Sequence, residues 1–308
     1  MMFSILIPSY NNLNYLKLCI ESLEKNSKFE HQIIIHINEG SDGTLDYIKN
    51  STYDYTYSAQ NIGMPKALNT ATKLAKNNYI VISHDDFYYC PEWDNICIQE
   101  ISQINHNNFY LSGTTIGATN SFKTKNGELP AYYNAGDCVE NFNENKLLND
   151  LEKIKSYDFQ GSTKQPAIVH IDLWKKVGGW SEEFSPTGGD DSDFLMKLWI
   201  EKVRIFKGLG KSLVYHFGSI TTRKKGKNSN TYLGSRGGKI FLKKWKITIN
   251  FFEKFYLKSG IDENKKKIVN KYDGSLKEPE KNLKFFYELI KCKIQYVYLI
   301  LINFNYKK

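Results

Sequence analysis

Two adjacent carboxylates follow directly on a run of apolar residues in the first third of the chain. The stretch IVISHDDF (residues 80–87) reads as a buried strand that runs into Asp85 and Asp86. Adjacent carboxylates repel each other unless a positive charge lies beside them. A strand end with such a pair is typical of a site that holds a divalent cation and leaves coordination positions for a diphosphate. The alternative is that one carboxylate caps the next element and the other is solvated.

A second acidic pair, Asp190 and Asp191, lies in the stretch GGDDSDF (residues 188–194). The pattern places this pair at the start of a helix, where backbone N–H groups and the helix dipole stabilise negative charge. A carboxylate there could take a proton from a reacting hydroxyl, and the structural alternative is a helix N-cap. His216 follows a further predicted strand, and an imidazole at that place either contacts a metal or has a structural role.

The elements that would position these residues alternate between strands and helices. Short apolar runs ended by polar residues predict strands, and helical spacing of apolar residues predicts helices. Strands are expected at residues 3–7, 33–37, 79–83, 167–171, 203–206 and 212–215, and helices at 13–25, 45–49, 65–76, 173–177 and 191–201. This order predicts an α/β fold with a parallel sheet and helices on its faces. Ligands of such sheets bind at the carboxyl ends of the strands, which is where residues 38–42 and 84–86 fall.

The middle and the end of the chain depart from this pattern. Residues 113–161 are polar and rich in Asn and Gly, which predicts long loops of the functional kind. After residue 223 the sequence becomes basic, aromatic-rich and helical, and residues 281–308 mix lysines with aromatic and apolar residues. Such a helix fits the surface of an anionic membrane. Packing on the rest of the chain or a dimer contact is the alternative.

The composition fits a folded chain with one large domain and an appendage, or two domains. Of the 308 residues, 41% are hydrophobic and 24% charged, and the net charge is +9. That charge suits a nucleic acid, an anionic membrane surface or a phosphorylated substrate. Five cysteines without a C-x-x-C pair favour a reducing compartment over a disulfide framework or a zinc site. The first residues read as a strand and not as a secretory signal, and no apolar run is long enough to predict a membrane-spanning helix.

Six segments, taken together and in order, resemble those of the family 2 glycosyltransferases. They are FSILIPSYN (residues 3–11), NEGSDGT (38–44), NIGMPKALN (61–69), HDD (84–86), VGGWSEEF (177–184) and GGDDSDF (188–194). They are similar to the family's opening strand, its acidic D-D-G-S-x-D-G-T turn, its N-x-G-x-x-x-A-x-N segment, its D-x-D motif and its G-G-F-D-E-x-F and G-x-E-D-x-D segments. The resemblance covers about residues 3–222. It implies the GT-A fold, a Rossmann-like, mostly parallel central sheet with helices on both faces, followed here by a C-terminal helical extension.

The resemblance implies a hexosyltransferase-type glycosyltransferase that moves a sugar from a nucleotide-diphosphate donor, a UDP-sugar being favoured, to an acceptor hydroxyl. Residues 1–223 would form the catalytic domain, with a nucleotide-sugar half over about 1–112 and an acceptor half over about 113–223, and residues 224–308 the extension. Inversion at the anomeric carbon is expected, because a carboxylate base is available on the acceptor side. The implied setting is surface polysaccharide or glycolipid assembly on a glycan or lipid-linked acceptor. The implied location is the cytoplasm, peripherally on the inner face of the cytoplasmic membrane.

The resemblance also implies a role for individual residues. Asp86 and His216 are expected to hold Mn²⁺ or Mg²⁺, Asp191 to act as the catalytic base, and Asp190 and Trp180 to bind the acceptor. Nucleotide-sugar binding is expected from Pro8, Tyr10, Asn38, Glu39, Asp42, Asn61, Lys66 and Asp85.

Some positions depart from the family's pattern or have a plainer interpretation. His84 stands where the family often has the first Asp of D-x-D, and Asn38 or Glu39 replaces its base-reading Asp. Tyr10 could simply pack, and Lys66 could be an exposed helix lysine. Residues 223–225 (RKK) could close over the phosphates or form a solvated basic loop.

Three other functions are open to the sequence. A nucleotidyltransferase would also need a sheet, a metal and acidic strand ends, but no Gly-rich phosphate loop follows the first strand. A basic nucleic-acid-binding protein is a hypothesis from another class, although the basic and aromatic residues cluster in the C-terminal segment and form no recognition module. A catalytically inactive homologue that only binds a nucleotide sugar would account for the departures at residues 38, 39 and 84.

Overall fold

The structure is a computed structural model and describes residues 2–118, 132–162, 165–218, 236–260 and 269–302. Within these ranges the strands are β1 Phe3–Tyr10, β2 Gln32–Asn38, β3 Asp54–Ser58, β4 Tyr79–Ile82, β5 Phe87–Tyr89, β6 Phe109–Ile116, β7 Phe159–Gln160, β8 Ala167–His170 and β9 Ile205–His216. The α-helices are α1 Leu13–Asn26, α2 Thr44–Lys49, α3 Met64–Thr72, α4 Trp93–Ile104, α5 Glu144–Asn149, α6 Leu151–Ile154, α7 Ile171–Lys176, α8 Asp190–Ile200, α9 Arg236–Trp245, α10 Ile249–Phe255 and α11 Leu283–Leu301.

All described strands join one sheet, in the order β3-β2-β1-β4-β8-β6-β9-β5, with β7 paired to β9. The first four strands in this order are parallel. On the other side of β4 the sheet is mixed, because β8 runs antiparallel to both β4 and β6 while β6 and β9 are parallel. The carboxyl ends of β1, β2 and β3 therefore lie side by side, with the loop after β4 next to them.

The sheet separates two hydrophobic cores. Alternate residues of β1 face opposite sides: Phe3, Ile5 and Ile7 pack with α1 and α4, whereas Leu6 packs with α3 and α8. Burial on both faces is the reason that β1 and β2 read as continuous apolar runs in the sequence.

The sequence predicts two strands over residues 203–206 and 212–215, and the structure has the single strand β9. The polar, glycine-rich stretch between them hides the continuity of the strand. Glycine is needed there because residues 157–160, which include β7, pass very close: a Cβ at Gly208 would lie 2.0 Å from the Phe159 ring, and one at Gly210 would lie 2.2 Å from the Tyr157 carbonyl oxygen.

The helices of the C-terminal part pack on the same face of the sheet as α8. Ile240 and Phe241 of α9 and Phe252 of α10 belong to the core that contains Leu6 and Ile80 of the sheet. The following helix, α11, contacts both α9 and α10. Within the described ranges, no helix combines the length and the apolar character that crossing a membrane requires.

Candidate functional site

Polar residues of β1 and β4 meet at the carboxyl edge of the parallel strands. Ile82, the last residue of β4, is in register with Leu6 of β1. Because β1 continues beyond this point, the loop after β4 runs alongside its last residues. Ser9 Oγ consequently donates to Asp85 Oδ2 at 2.8 Å, which fixes the first of the two predicted carboxylates.

Asp85 is a buried carboxyl group that lies beside a second carboxylate, Asp86. Burial and the neighbouring charge of Asp86 raise its pKa to about 7, although hydrogen bonds from Ser9, the Asn12 side chain and the Tyr10 backbone act in the opposite direction. Ser9 holds the Asp85 side chain at the end of β1. A cation beside the pair would stabilise both ionised carboxylates.

Asp86 lies against the end of β9. Phe87 pairs with His216 across the antiparallel β5–β9 ladder, and the Phe217 N–H donates to the Asp86 carbonyl oxygen at 3.2 Å. This pairing brings His216 Nε2 to 3.3 Å from Asp86 Oδ2. The two predicted metal ligands, distant in the sequence, are therefore neighbours in the fold.

Asp86 and His216 lie together at this edge of the sheet, and Asp85 precedes Asp86 in the chain. Among the described residues, no group of three or more His, Cys, Asp or Glu side chains is arranged so that it could hold a metal ion. Carboxylate oxygens are the ligands that Mg²⁺ and Mn²⁺ prefer, and Mg²⁺ is commonly bound by one or two carboxylates together with substrate phosphates. The arrangement is consistent with an open site of this kind.

The segment after β2 is a tightly bonded turn. Asn38 Oδ1 accepts hydrogen bonds from the Ile62 N–H at 2.9 Å and from Ser58 Oγ at 3.2 Å, so its carbonyl oxygen ties β2, β3 and the segment before α3 together. Glu39 has a positive φ of 67°, and its carboxylate accepts from Asn11 Nδ2 at 3.2 Å. The turn and the end of β1 thus form one rigid wall.

Asp42 fixes the start of two helices. Its carboxylate accepts from the Leu13 N–H at 2.8 Å and from Thr44 Oγ1 at 2.6 Å. Burial raises the pKa of this carboxyl, but the hydrogen bonds from Thr44 and Leu13 outweigh burial and leave the pKa below its ordinary value. Pro8 and Tyr10, both half-buried on β1, lie next to this wall.

The segment before α3 joins the two halves of the site. The Met64 N–H donates to the Pro186 carbonyl oxygen at 2.9 Å, and a Cβ at Gly63 would lie 2.6 Å from Pro186 Cα. Asn61 is exposed and its Oδ1 accepts from the Gly63 N–H at 2.9 Å. Lys66 is also exposed, with Nζ 4.0 Å from Glu182 Oε2. These contacts place residues 182–186, which lie in the segment predicted for the acceptor, beside the residues predicted for the donor.

The second acidic pair opens α8 as the sequence predicts, but its two members have different environments. Asp190 is buried, its Oδ1 accepts from the Gly188 N–H at 2.7 Å, and burial together with the charge of Asp191 raises its pKa to about 7. Asp191 is half-buried and accepts from the Ser192 N–H at 2.8 Å. Of the pair, Asp191 is the less buried carboxylate.

The third carboxylate of this segment, Asp193, is bound by α9. It is fully buried and contacts Lys244 Nζ at 2.9 Å, while its Oδ1 accepts from Trp245 Nε1 at 2.7 Å. Lys244 also contacts Glu183 at 3.0 Å. Helix α9 therefore holds α8 through buried charge, and it approaches so closely that a Cβ at Gly237 would lie 1.6 Å from the Gly188 carbonyl oxygen.

Trp180 is a core residue in the structure. Its ring is 2% exposed and stacks on Phe194 at 5.8 Å between centroids. The Asn69 side chain binds the Trp180 backbone through two hydrogen bonds. Asn69 Oδ1 accepts from the Trp180 N–H and Asn69 Nδ2 donates to the Trp180 carbonyl oxygen, both at 2.9 Å. The indole N–H has no acceptor among the described residues. A role of Trp180 at the acceptor stays a prediction.

Two residues that act on the site are missing from the sequence prediction. Ser9 lies within the opening strand that resembles the family's, and its position at the carboxyl end of this strand could have indicated that it belongs to the site. Lys244 lies far along the chain in a basic stretch that reads as solvated, so nothing in the sequence indicated its contact with Asp193. The predicted phosphate contacts at residues 223–225 lie outside the described residues.

Comparison with known proteins agrees with this geometry. A profile of the family described as glycosyl transferase family 2 matches residues 4–164, which is more than half of the 308 residues. The chain is 26% identical over 279 residues to a hyaluronan synthase of Pasteurella multocida, an alignment that covers 87% of this chain and 25% of that protein. The chain thus spans about a quarter of the length of this curated relative.

Solved structures show the same fold. A crystal structure of S. aureus TarS in complex with UDP-GlcNAc has a TM-score of 0.51 at 17% identity, covering 71% of this chain and 61% of that chain. A structure of GalNAc-T7 with UDP, GalNAc and Mn²⁺ has a TM-score of 0.58 at 13% identity, covering 82% of this chain and 49% of that chain. The predicted fold class and the predicted glycosyltransferase family are confirmed, and the chain belongs to glycosyl transferase family 2.

Proposed function

We propose that this chain transfers a sugar from a nucleotide-diphosphate donor to an acceptor hydroxyl, with inversion and with the help of a divalent metal. The observation that carries the proposal is the contact of Asp86 with His216 at 3.3 Å, with Asp85 beside it at the strand ends. A second carboxylate, Asp191, is half-buried at the start of α8. The residues at the strand ends would stabilise the leaving diphosphate, and Asp191 would take the proton of the attacking hydroxyl.

On the donor side, Asp86 and His216 would hold Mn²⁺ or Mg²⁺, and Asp85 would assist at the ribose or at a metal-bound water. The cation, when bound, would neutralise charge on the leaving diphosphate. The chain's own contribution is a rigid frame, since Ser9 and the β5–β9 ladder fix the carboxylates before any ligand binds. Pre-organised groups of this kind stabilise developing charge without reorganising during the reaction.

The nucleotide would lie against the wall made by the end of β1 and the turn after β2. Pro8, Tyr10, Asn38, Glu39 and Asp42 would contact the nucleoside, with Asn61 and Lys66 reaching the sugar or the phosphates. The UDP and UDP-GlcNAc bound to TarS, which has the same fold, support a UDP-sugar as the donor class.

On the acceptor side, Asp191 would accept the proton of the attacking hydroxyl and Asp190 would hold the acceptor, with Trp180 nearby. Asp190 keeps Asp191 in place, because its bond to the Gly188 N–H closes the turn that begins α8. A single displacement by the activated hydroxyl inverts the anomeric carbon, which is why inversion is the expected outcome.

The setting is also a proposal. Glycan and lipid-linked acceptors suit a chain similar to a hyaluronan synthase and to a chondroitin synthase, and surface polysaccharide or glycolipid assembly would place the protein in the cytoplasm, peripherally on the inner face of the membrane. We propose the catalytic domain over residues 1–223 and a helical extension over 224–308. The packing of α9 and α10 on the core of the sheet supports an extension that is docked on the catalytic domain.

Calorimetric binding tests the donor site. UDP, GDP, dTDP and CDP are each titrated with and without Mn²⁺ into the wild-type protein and into Asp86→Ala. We expect metal-dependent binding of UDP that Asp86→Ala abolishes, with Asp172→Ala, an exposed carboxyl of α7, as the matched control. A folded wild-type protein that binds none of the four diphosphates would refute the donor site.

Transfer assays test the base. Asp191→Ala should abolish transfer while donor binding stays close to that of the wild type, because the residue lies on the acceptor side. A variant that still turns over at the wild-type rate would remove Asp191 from this role. The anomeric configuration of the product, read by NMR, separately tests inversion.

A further inference from the structure

Helix α11 has two opposite apolar faces, and among the residues that the structure describes only one of these faces has a packing partner. Phe285, Cys292 and Leu299 are buried at seven-residue intervals. Phe285 lies against Phe251 and Phe255 of α10, with ring centroids 5.1 and 5.2 Å apart. This face anchors the helix to the extension and fixes which side is turned outward.

The outward side is a continuous apolar strip. Its residues, which we call the α11 strip, are large, apolar and between 48% and 90% exposed: Leu283, Phe286, Tyr287, Ile290, Ile294, Val297, Tyr298 and Leu301. At about 100° per residue they cover an arc of about 120° centred opposite the buried face. Single exposed apolar residues are ordinary on a protein surface, whereas a strip along a whole helix marks a contact surface.

The charges beside the strip identify its partner. On a helical wheel at the same 100° per residue, Lys284 and Lys291 border one edge of the α11 strip and Lys293 borders the other edge. All three lysines are exposed. Glu288, which lies 3.4 Å from Lys291, is the only acidic residue of the helix. A second copy of the chain would bring the same positive edges together, in a protein whose net charge is already +9. An anionic surface complements them.

We propose that the α11 strip is a docking surface for an anionic lipid bilayer, with its apolar side chains in the acyl boundary and its three lysines at the headgroups. A helix with an apolar face bordered by lysines lies in the plane of such an interface. Because the opposite face of α11 is packed on α10, the whole domain would be held on the membrane through one rigid element. This surface does not depend on the transfer reaction.

Flotation of the full chain with vesicles tests the surface. One vesicle contains equal parts of phosphatidylglycerol and phosphatidylcholine, and the other only phosphatidylcholine. We expect binding to the anionic vesicle that weakens as salt is added. Lys284→Glu/Lys291→Glu/Lys293→Glu should weaken it by roughly 100-fold, since each lysine near an anionic surface contributes about a factor of five. The control Lys28→Glu/Lys49→Glu/Lys73→Glu has the same charge change on exposed lysines far from α11 in the sequence and should change binding far less.

The apolar part of the strip has its own variant. Ile290→Ser/Ile294→Ser should lower vesicle binding at least about tenfold, and Ile290→Leu/Ile294→Leu should retain it. Both positions are exposed, so the thermal unfolding of the variants should match the wild type. Absence of binding to anionic vesicles, or binding that neither set of variants alters, would overturn the proposal. A dimer in sedimentation velocity that Ile290→Ser/Ile294→Ser dissociates, without lipid binding, would assign the strip to a second copy instead and would also overturn it.

Discussion

Replacing Asp190 with Asn should stabilise the protein at high pH and leave its stability nearly unchanged at low pH. Burial and the charge of Asp191 raise the pKa of Asp190 from 3.8 to about 7. A folded-state pKa above the unfolded value means that the folded protein binds the proton more tightly. The stability that this group contributes is therefore fully present below about pH 4 and is lost as the pH rises through about 7.

The magnitude follows from the size of the shift. About three pKa units at about 1.36 kcal/mol each correspond to at most about 4 kcal/mol of unfolding free energy lost by the wild type between pH 4 and pH 8. Asparagine has nearly the same shape and keeps an oxygen that can accept from the Gly188 N–H, but it cannot ionise. Asp190→Asn should therefore be more stable than the wild type by up to about 4 kcal/mol at pH 8 and should match it near pH 4.

Urea unfolding of both proteins across this pH range measures the difference directly. Asp46→Asn, an exposed carboxyl of α2, is the control for a general change in charge. Asp191→Asn should give part of the same increase in unfolding free energy at high pH, because it removes the neighbouring charge that is the second cause of the raised pKa of Asp190. A difference between wild type and Asp190→Asn that stays constant from pH 4 to pH 8 would refute the reasoning. If Asp190 also holds the acceptor, the stabilised variant should transfer sugar more slowly.

The contact of α9 with α8 yields two further predictions. Lys244→Met should lower the unfolding free energy by about 3 kcal/mol in urea, because it leaves the buried Asp193 carboxylate without its cation. Lys73→Met, at an exposed site just after α3, should have little effect, and an equal loss in both variants would contradict this reasoning. Gly237→Ala should lower the unfolding free energy by about 2 kcal/mol and reduce sugar transfer, because its Cβ would overlap the Gly188 carbonyl oxygen. A variant with wild-type activity and wild-type stability would show that α9 does not constrain the turn at Gly188.

The alternation of apolar runs and helical spacing was enough to predict the parallel half of the sheet and the place of its ligand edge. Strands β1, β2 and β4 are buried on both faces, so their apolar runs are visible without any tertiary information. The prediction missed several elements, among them the full-length helix α4 and the buried strand β6, and two weaker strands. Edge strand β3 (DYTYS) alternates between half-buried and exposed residues, and β5 has three residues, so neither carries enough periodicity to stand out from a loop.

The same distinction holds for the site. The sequence by itself determined the chemical groups: an acidic pair after β4, a second acidic pair at a predicted helix start, and a histidine after a late strand. Only the tertiary structure decided how they differ, because burial and neighbouring charge are properties of the surroundings. It is the β5–β9 ladder that brings His216 to Asp86, and it is packing that buries Asp190 while leaving Asp191 half-buried. The lysine that pairs with Asp193 and the outward face of α11 depend on how α9 and α10 dock, and residue types along a chain do not encode that docking locally.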